Sequence, residues 1–174
     1  ENNVIAGFSC AKIISAANYT ALAFFATRVL ENHRNKGTAK RLIKKICSRL
    51  IFQEKFLKIR NFSKPVYFVS VTANPIVFEV MSRNLKAAPS PAFPNPGRIE
   101  IEIAEKFAGI FAAGCKFYRD TFVLEQAFLD SAEYYGDTQK IPWSHNQASN
   151  DFLEERLKLK NKTGNGLVFV GKIC

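Results

Sequence analysis

The chain has 174 residues, 47% of them hydrophobic and 13% aromatic, which is enough apolar side chain for one domain over residues 1–174 and too much for a disordered segment. Its 25 Lys and Arg against 15 Asp and Glu give a net charge of +10, so anionic partners are favoured over cationic ones. No run approaches the roughly eighteen apolar residues of a membrane span, no charged-then-apolar leader opens the chain, and the expected location is the cytoplasm.

Val4 to Ile14 and Thr20 to Leu30 are rich in β-branched, aromatic and small residues and predict two strands, with Ser15-Ala16-Ala17-Asn18-Tyr19 as a hairpin connection. Arg34-Asn35-Lys36-Gly37-Thr38-Ala39 follows as a basic turn. Behind it Ala39, Leu42, Ile43, Ile46, Leu50 and Ile51 recur with helical period, while Lys40, Arg41, Lys44, Lys45 and Arg49 take the other face, which predicts an amphipathic helix. A strand, a basic turn with one glycine and a helix start make an anion site. The first N–H groups of a helix have no intrahelical acceptor, its dipole places partial positive charge there, and Arg34 and Lys36 add full charges. A Walker A loop needs an earlier glycine before a Gly-Lys-Ser/Thr ending, and a Rossmann fingerprint needs three glycines in register; neither is present. Twelve Lys and Arg lie between Arg28 and Lys64 against only Glu31 and Glu54, so this segment alone carries +10.

After a polar stretch from Lys58 to Lys64, Pro65-Val66-Tyr67-Phe68-Val69-Ser70-Val71 is a short apolar run of buried-strand character. Thr72-Ala73-Asn74-Pro75 and a helix from Ile76 to about Leu85 come next, with Asn74 suited to the cap and Pro75 to the first helical position. Pro89-Ser90-Pro91-Ala92-Phe93-Pro94-Asn95-Pro96 excludes regular structure and reads as a stiff surface loop, placed to border a substrate entrance. One helix is expected from Ile99 to Ala113, ending at Gly114. The remaining strand candidates are Thr121 to Phe128 and Leu167 to Ile173, the second opened by the turn Gly164-Asn165-Gly166. Between them lie an irregular stretch, Ser131 to Asn150, long enough to form a substrate-contacting lid, and a helix from Asp151 to Lys160 with Phe152, Leu153, Leu157 and Leu159 toward the core. Cys10, Cys47, Cys115 and Cys174 are widely spaced with no Cys-x-x-Cys pair or His partner, and read as thiols rather than as a metal set or a disulfide framework.

Arg34-x-x-Gly37-x-Ala39, after a strand and before a helix, resembles the acyl-coenzyme A pyrophosphate loop of the GNAT family of N-acetyltransferases, whose signature is Gln/Arg-x-x-Gly-x-Gly/Ala. The strand, Asn74 and helix behind it match the family's next element. The resemblance implies a GNAT-like α/β (α+β) fold. Its central sheet is mixed and mostly antiparallel, flanked by helices, and its fourth and fifth strands, here Thr20 to Leu30 and Val66 to Val71, run parallel but splayed around the cofactor's pantetheine arm. The candidates at 121–128 and 167–173 fit the family's sixth and seventh strands, an antiparallel pair. Acetyl-coenzyme A is the implied co-substrate, with no metal, a small-molecule or peptide amine as acceptor, and a homodimer formed through the late strands. The implied cofactor-binding residues are Val29 and Leu30, where a backbone N–H polarises the thioester carbonyl, the loop Arg34, Asn35, Lys36, Gly37, Thr38 and Ala39, and Asn74.

The chain also departs from that pattern. The family's first strand and first two helices have no counterpart ahead of Glu1, and Thr20 to Leu30 carries no carboxylate to serve as base. Met81 stands seven positions after Asn74, where the family often has a proton-donating Tyr, and the usual Gly-Phe ending of that helix is missing. Glu125, within the strand candidate Phe122 to Phe128, and Tyr135 are the catalytic candidates in their place; Tyr118, Tyr134 and His145 are further polar groups. The expected function is an acyl-coenzyme A-dependent N-acyltransferase. The missing base and acid leave open a non-catalytic GNAT-like coenzyme A-binding module. The basic helix leaves open a nucleic-acid-binding domain, against which stands the absence of an Arg/aromatic base-stacking pattern.

Overall fold

The computed structural model describes residues 5–33, 36–52, 64–128, 141–161 and 163–173. Among them are six β-strands and four α-helices, a mixed α/β architecture. The chain divides into two compact units, Glu1–Phe68 with Cys174 and Val69–Ile173, and the division falls inside strand β3 (Val66–Thr72).

In the first unit β1 (Gly7–Ser15) and β2 (Thr20–Val29) form an antiparallel hairpin, closed where the Ala16 N–H donates to the Tyr19 carbonyl at 3.0 Å. Their register slips once. Cys10 faces Ala26 but Ala11 faces Phe24, so Phe25 is an extra residue on β2, a bulge that sharpens the local twist. Gly7 is demanded by close approach, since a Cβ there would lie 2.6 Å from the Arg28 carbonyl oxygen. The strand order is β1-β2-β3. The Thr20 N–H donates to the Pro65 carbonyl at 3.1 Å, so β2 and β3 begin at the same end, as parallel neighbours do. Phe24 stacks on Phe68 with ring centroids 4.8 Å apart, and Tyr19 meets Tyr67 edge-on at 6.3 Å; all four are buried. A single 3-10 turn at Glu31–His33 leads to α1 (Thr38–Phe52), which packs on β1 and β2. Leu42, Ile43, Ile46 and Leu50 are half-buried, and Lys40, Arg41, Lys44, Lys45 and Arg49 are exposed, as the period of the sequence predicts. Ala39 of the expected stripe, however, is exposed in the first turn, and the side chain of Ile51 lies outside what the structure describes.

In the second unit the strand order is β3-β6-β5-β4. The chain runs from β3 through α2 (Pro75–Leu85), α3 (Arg98–Phe111), β4 (Phe117–Tyr118), β5 (Val123–Leu124), α4 (Gln147–Leu157) and a 3-10 turn at Leu159–Asn161 to β6 (Gly166–Lys172). β6 is an inner strand, buried at every residue but Lys172, and α2, α3 and α4 all pack on it. Such two-sided burial explains its continuous apolar run. β5 is antiparallel to β6 (Val123 opposite Leu167) and to β4 (Tyr118 opposite Val123). Phe78 of α2 stacks on Phe152 of α4 at 5.6 Å and meets Phe169 of β6 edge-on at 6.3 Å.

Four expectations change here. The strand expected over Thr121 to Phe128 is only Val123–Leu124, because Phe122 (φ 60°) and Gln126 (φ 54°) are left-handed and end the extended run on both sides. Its partner β4 was not anticipated. The loop after α2 does not lie wholly on the surface: residues 87–90 are buried, and Ala88 pairs with Val170 through N–H···O bonds of 2.8 and 2.9 Å. The helix expected from Asp151 to Lys160 begins at Gln147, capped by Asn146, and ends where Lys158 turns left-handed (φ 52°). A lid spanning Ser131 to Asn150 therefore does not form as expected at its far end, where Ser149 and Asn150 are buried in the first turn of α4; positions 131–140 lie outside the described residues. Among the described residues no helix is long and apolar enough to cross a membrane.

Candidate functional site

The start of α1 leaves backbone donors without acceptors among the described residues. Gly37 sits at φ 71°, a left-handed conformation that costs other residues about 1–2 kcal/mol. Its carbonyl accepts the Arg41 N–H at 3.0 Å, which makes it the residue preceding the first helical turn. A glycine there has no side-chain oxygen to offer, and the N–H groups of Thr38, Ala39 and Lys40 meet no hydrogen-bond acceptor among the described residues. The first turn holds no acid. The Thr38 hydroxyl donates to the His33 carbonyl at 3.3 Å, and Arg41 Nη2 donates to the Lys36 carbonyl at 3.4 Å, so the basic turn is braced from both sides. A Cβ added at Gly37 would touch nothing within 4 Å, so the space beside it is open. Lys36, Gly37 and Ala39 are exposed. Arg34 and Asn35 lie outside the described residues.

Val29 ends β2 opposite Gly7 and is half-buried. The Leu30 N–H donates to the Ala6 carbonyl at 2.9 Å, and its side chain is exposed, so the hairpin already uses this donor.

Asn74 stands between β3 and α2, where the sequence places it. Its backbone N–H donates to Thr72 Oγ1 at 3.0 Å, and its Oδ1 accepts the N–H groups of Ile76 and Val77 at 3.0 and 3.2 Å, with Pro75 as first helical residue. The cap consumes the amide oxygen and fixes the side chain. The Nδ2 group has no acceptor among the described residues and keeps both donors available.

Glu125 follows β5 rather than lying within a longer strand, and its N–H donates to the Lys116 carbonyl at 2.9 Å. The Tyr118 hydroxyl on β4 donates to Glu125 Oε2 at 3.1 Å, and Lys116 Nζ sits 4.6 Å from the centre of the Tyr118 ring. The structure thus joins Glu125 to Tyr118, a carboxylate and a phenol in proton-exchange contact. Tyr134 and Tyr135 lie outside the described residues, and His145 is exposed. In the strand order β6 stands between β3, after which Asn74 comes, and β5, after which Glu125 comes.

One further feature escapes sequence reasoning. A cleft of about 360 Å³ lies in the second unit, lined by the end of α2, the proline loop and the start of α4. Ser149 lines it and is 3% exposed, yet its hydroxyl meets no hydrogen-bond partner among the described residues. A buried unpaired hydroxyl costs about 1–3 kcal/mol. The proline-rich segment marks one wall of this cleft in the sequence, whereas the burial of Ser149 has no local signal.

The cysteines play no visible part. Cys10, Cys47 and Cys115 are free, and burial raises the Cys47 thiol above its ordinary range, a backbone hydrogen bond offsetting part of the effect. Among the described residues no group of three His, Cys, Asp or Glu is placed to hold a metal ion. No family model, no curated protein and no solved structure matches this chain.

Proposed function

We propose that this chain binds acyl-coenzyme A and transfers its acyl group, most simply acetyl, to an amine, on a GNAT-like fold. The observation that carries the reading is the start of α1: three N–H groups without an acceptor among the described residues, at the positive end of a 15-residue helix, behind a basic turn. A pyrophosphate satisfies these donors, with Lys36 and the sequence neighbour Arg34 adding charge. The resemblance assigns Asn74 to the same cofactor, and its Nδ2, without an acceptor among the described residues, is a fixed donor suited to an amide carbonyl of the pantetheine arm. The shared starting end of β2 and β3 and the antiparallel β5/β6 pair agree with the strand pattern the resemblance implies.

Bound acetyl-coenzyme A supplies the activated acyl group. In this proposal Glu125, oriented by the Tyr118 hydroxyl, accepts a proton from the acceptor ammonium, and Tyr118 stands ready to return one. A cytoplasmic location and a homodimer through the late strands belong to the same proposal.

A second reading, a non-catalytic coenzyme A-binding module, is favoured by particular residues. β2 (TALAFFATRV) holds no Asp or Glu, Met81 replaces the expected Tyr, and the Leu30 N–H is engaged by Ala6. Isothermal titration with acetyl-coenzyme A tests both. Wild type binds, and Gly37→Asp, which puts a carboxylate where the pyrophosphate sits, binds at least about tenfold more weakly while staying folded, since Asp tolerates the left-handed region. Equal binding by the two proteins, or none by folded wild type, overturns the cofactor assignment. Binding without thiol release against a broad amine panel selects the non-catalytic module, and wild-type release by Glu125→Gln removes Glu125 from the chemistry.

A further inference from the structure

The cleft of the second unit carries an inference independent of coenzyme A. Its apolar side is Pro91, Ala92 and Phe93, the last 42% exposed. Its polar side is a set of donors. Arg83 and Lys86 come from the end of α2, Ser90 from the proline loop and Ser149 from α4. Ser149 is the decisive group. It is 3% exposed, its hydroxyl has no partner among the described residues, and it occupies the third position of α4, an 11-residue helix. The Asn146 cap takes the Ser149 N–H at 3.3 Å and the Asn150 N–H at 3.2 Å, so the N–H groups of Gln147 and Ala148 have no acceptor among the described residues. Ser90 is 1% exposed; its Oγ accepts the Phe93 N–H at 3.2 Å and its own proton has no acceptor among the described residues.

The charges point the same way. Glu79 also lines the cleft and lies 3.5 Å from Arg83 Nη1, which offsets part of the guanidinium charge. Lys86, which lines the cleft as the left-handed (φ 48°) C-terminal cap of α2, has no such counter-ion among the described residues. Net positive charge, a helix start and two hydroxyl donors call for an oxyanion. The apolar wall calls for a flat body attached to it, and a volume of about 360 Å³ falls at the small end of ligand sites.

We infer that this cleft binds a small aromatic oxyanion, its ring against Phe93 and Pro91 and its carboxylate or phosphate ester received by the Ser149 hydroxyl and the start of α4, with Arg83 and Lys86 completing the charge. Carboxylate and phosphate share this chemistry, and the test separates them. The full chain is titrated calorimetrically with benzoate, phenyl phosphate and inorganic phosphate. At least one aromatic anion binds more tightly than inorganic phosphate, and which of the two does so identifies the headgroup. Ser149→Ala weakens that binding about two- to tenfold, and in the absence of ligand its Tm rises by about 2–4 °C because an unpaired buried hydroxyl has gone. Arg83→Ala, at a side chain 71% exposed, keeps the fold and weakens binding about tenfold. Failure of both aromatic anions to bind, binding indifferent to both substitutions, or a lower Tm for Ser149→Ala overturns the inference. Gly37→Asp weakens acetyl-coenzyme A and leaves the aromatic anion unchanged, whereas Ser149→Ala weakens the aromatic anion and leaves acetyl-coenzyme A unchanged, so the two assignments fail separately.

Discussion

Asn74 caps α2 and, under the proposed function, also donates to the cofactor; a pair of substitutions separates the two roles. Asn74→Asp keeps an oxygen on the N–H groups of Ile76 and Val77 and adds negative charge at a helix start, so stability is held or gained. It also replaces the free Nδ2 donor by a carboxylate oxygen, and acetyl-coenzyme A affinity falls about tenfold. Asn74→Ala loses the cap itself and costs about 1 kcal/mol. Urea unfolding measured beside calorimetric titration reads both effects; if Asn74→Asp binds acetyl-coenzyme A as wild type does, Asn74 is a cap only. Arg156 shows how differently a charged residue behaves when it is structural. Its Nη1 donates to the Thr121 carbonyl at 2.7 Å and its guanidinium stacks over Phe152 at 4.5 Å, while burial lowers its pKa and the nearby charges of Glu155 and Asp120 raise it again.

β6 is the element on which the second unit depends. At Gly171 an added Cβ would lie 2.6 Å from Leu85 Cβ and 2.9 Å from the Leu85 carbonyl, at the end of α2, where helix backbone has little room to give. Gly171→Ala is expected to cost about 1–3 kcal/mol by overpacking, seen as a lower urea midpoint at unchanged slope; an unchanged midpoint would show that α2 is free to move away. Elements of strong period were legible in the sequence. α1 alternates apolar and basic faces every three to four residues, and Asn74-Pro75 announces the start of α2. The strand at β5 was legible but its limits were not, because they are imposed from elsewhere in the chain: Asn165 Oδ1 accepts the Gln126 N–H at 3.0 Å and the Phe122 carbonyl accepts the Val168 N–H at 2.9 Å. The left-handed residues at both ends thus answer to the turn before β6 rather than to local propensity. The start of α4 was available in Asn146-x-x-Ser149, a cap pattern hidden inside a stretch read as irregular. Of the candidate site, the loop at α1 and Asn74 could be read locally, whereas the Tyr118–Glu125 contact needs the β4/β5 pairing that the sequence does not announce.

At the scale of the whole molecule a net charge of +10 gives a field that attracts polyanions, and the exposed face of α1 supplies five of the cations. Binding to random duplex DNA through those five contacts should weaken by about 500-fold between 50 and 200 mM salt, measured by fluorescence anisotropy. Coenzyme A is expected to displace the DNA; steeply salt-dependent affinity that coenzyme A does not displace would restore the nucleic-acid reading. The uncapped first turn of α1 has a different consequence. Thr38, Ala39 and Lys40 have amide hydrogens without acceptors among the described residues, so that turn is expected to open readily in the free protein and to close on an anion seated there. Occupancy and helix order are then two readings of one linked equilibrium, and the linkage runs both ways. Slower hydrogen exchange throughout the first turn of α1 reports a bound ligand. Conversely, a substitution that stiffens α1 on its solvent face, far from any phosphate, tightens the grip at its open end.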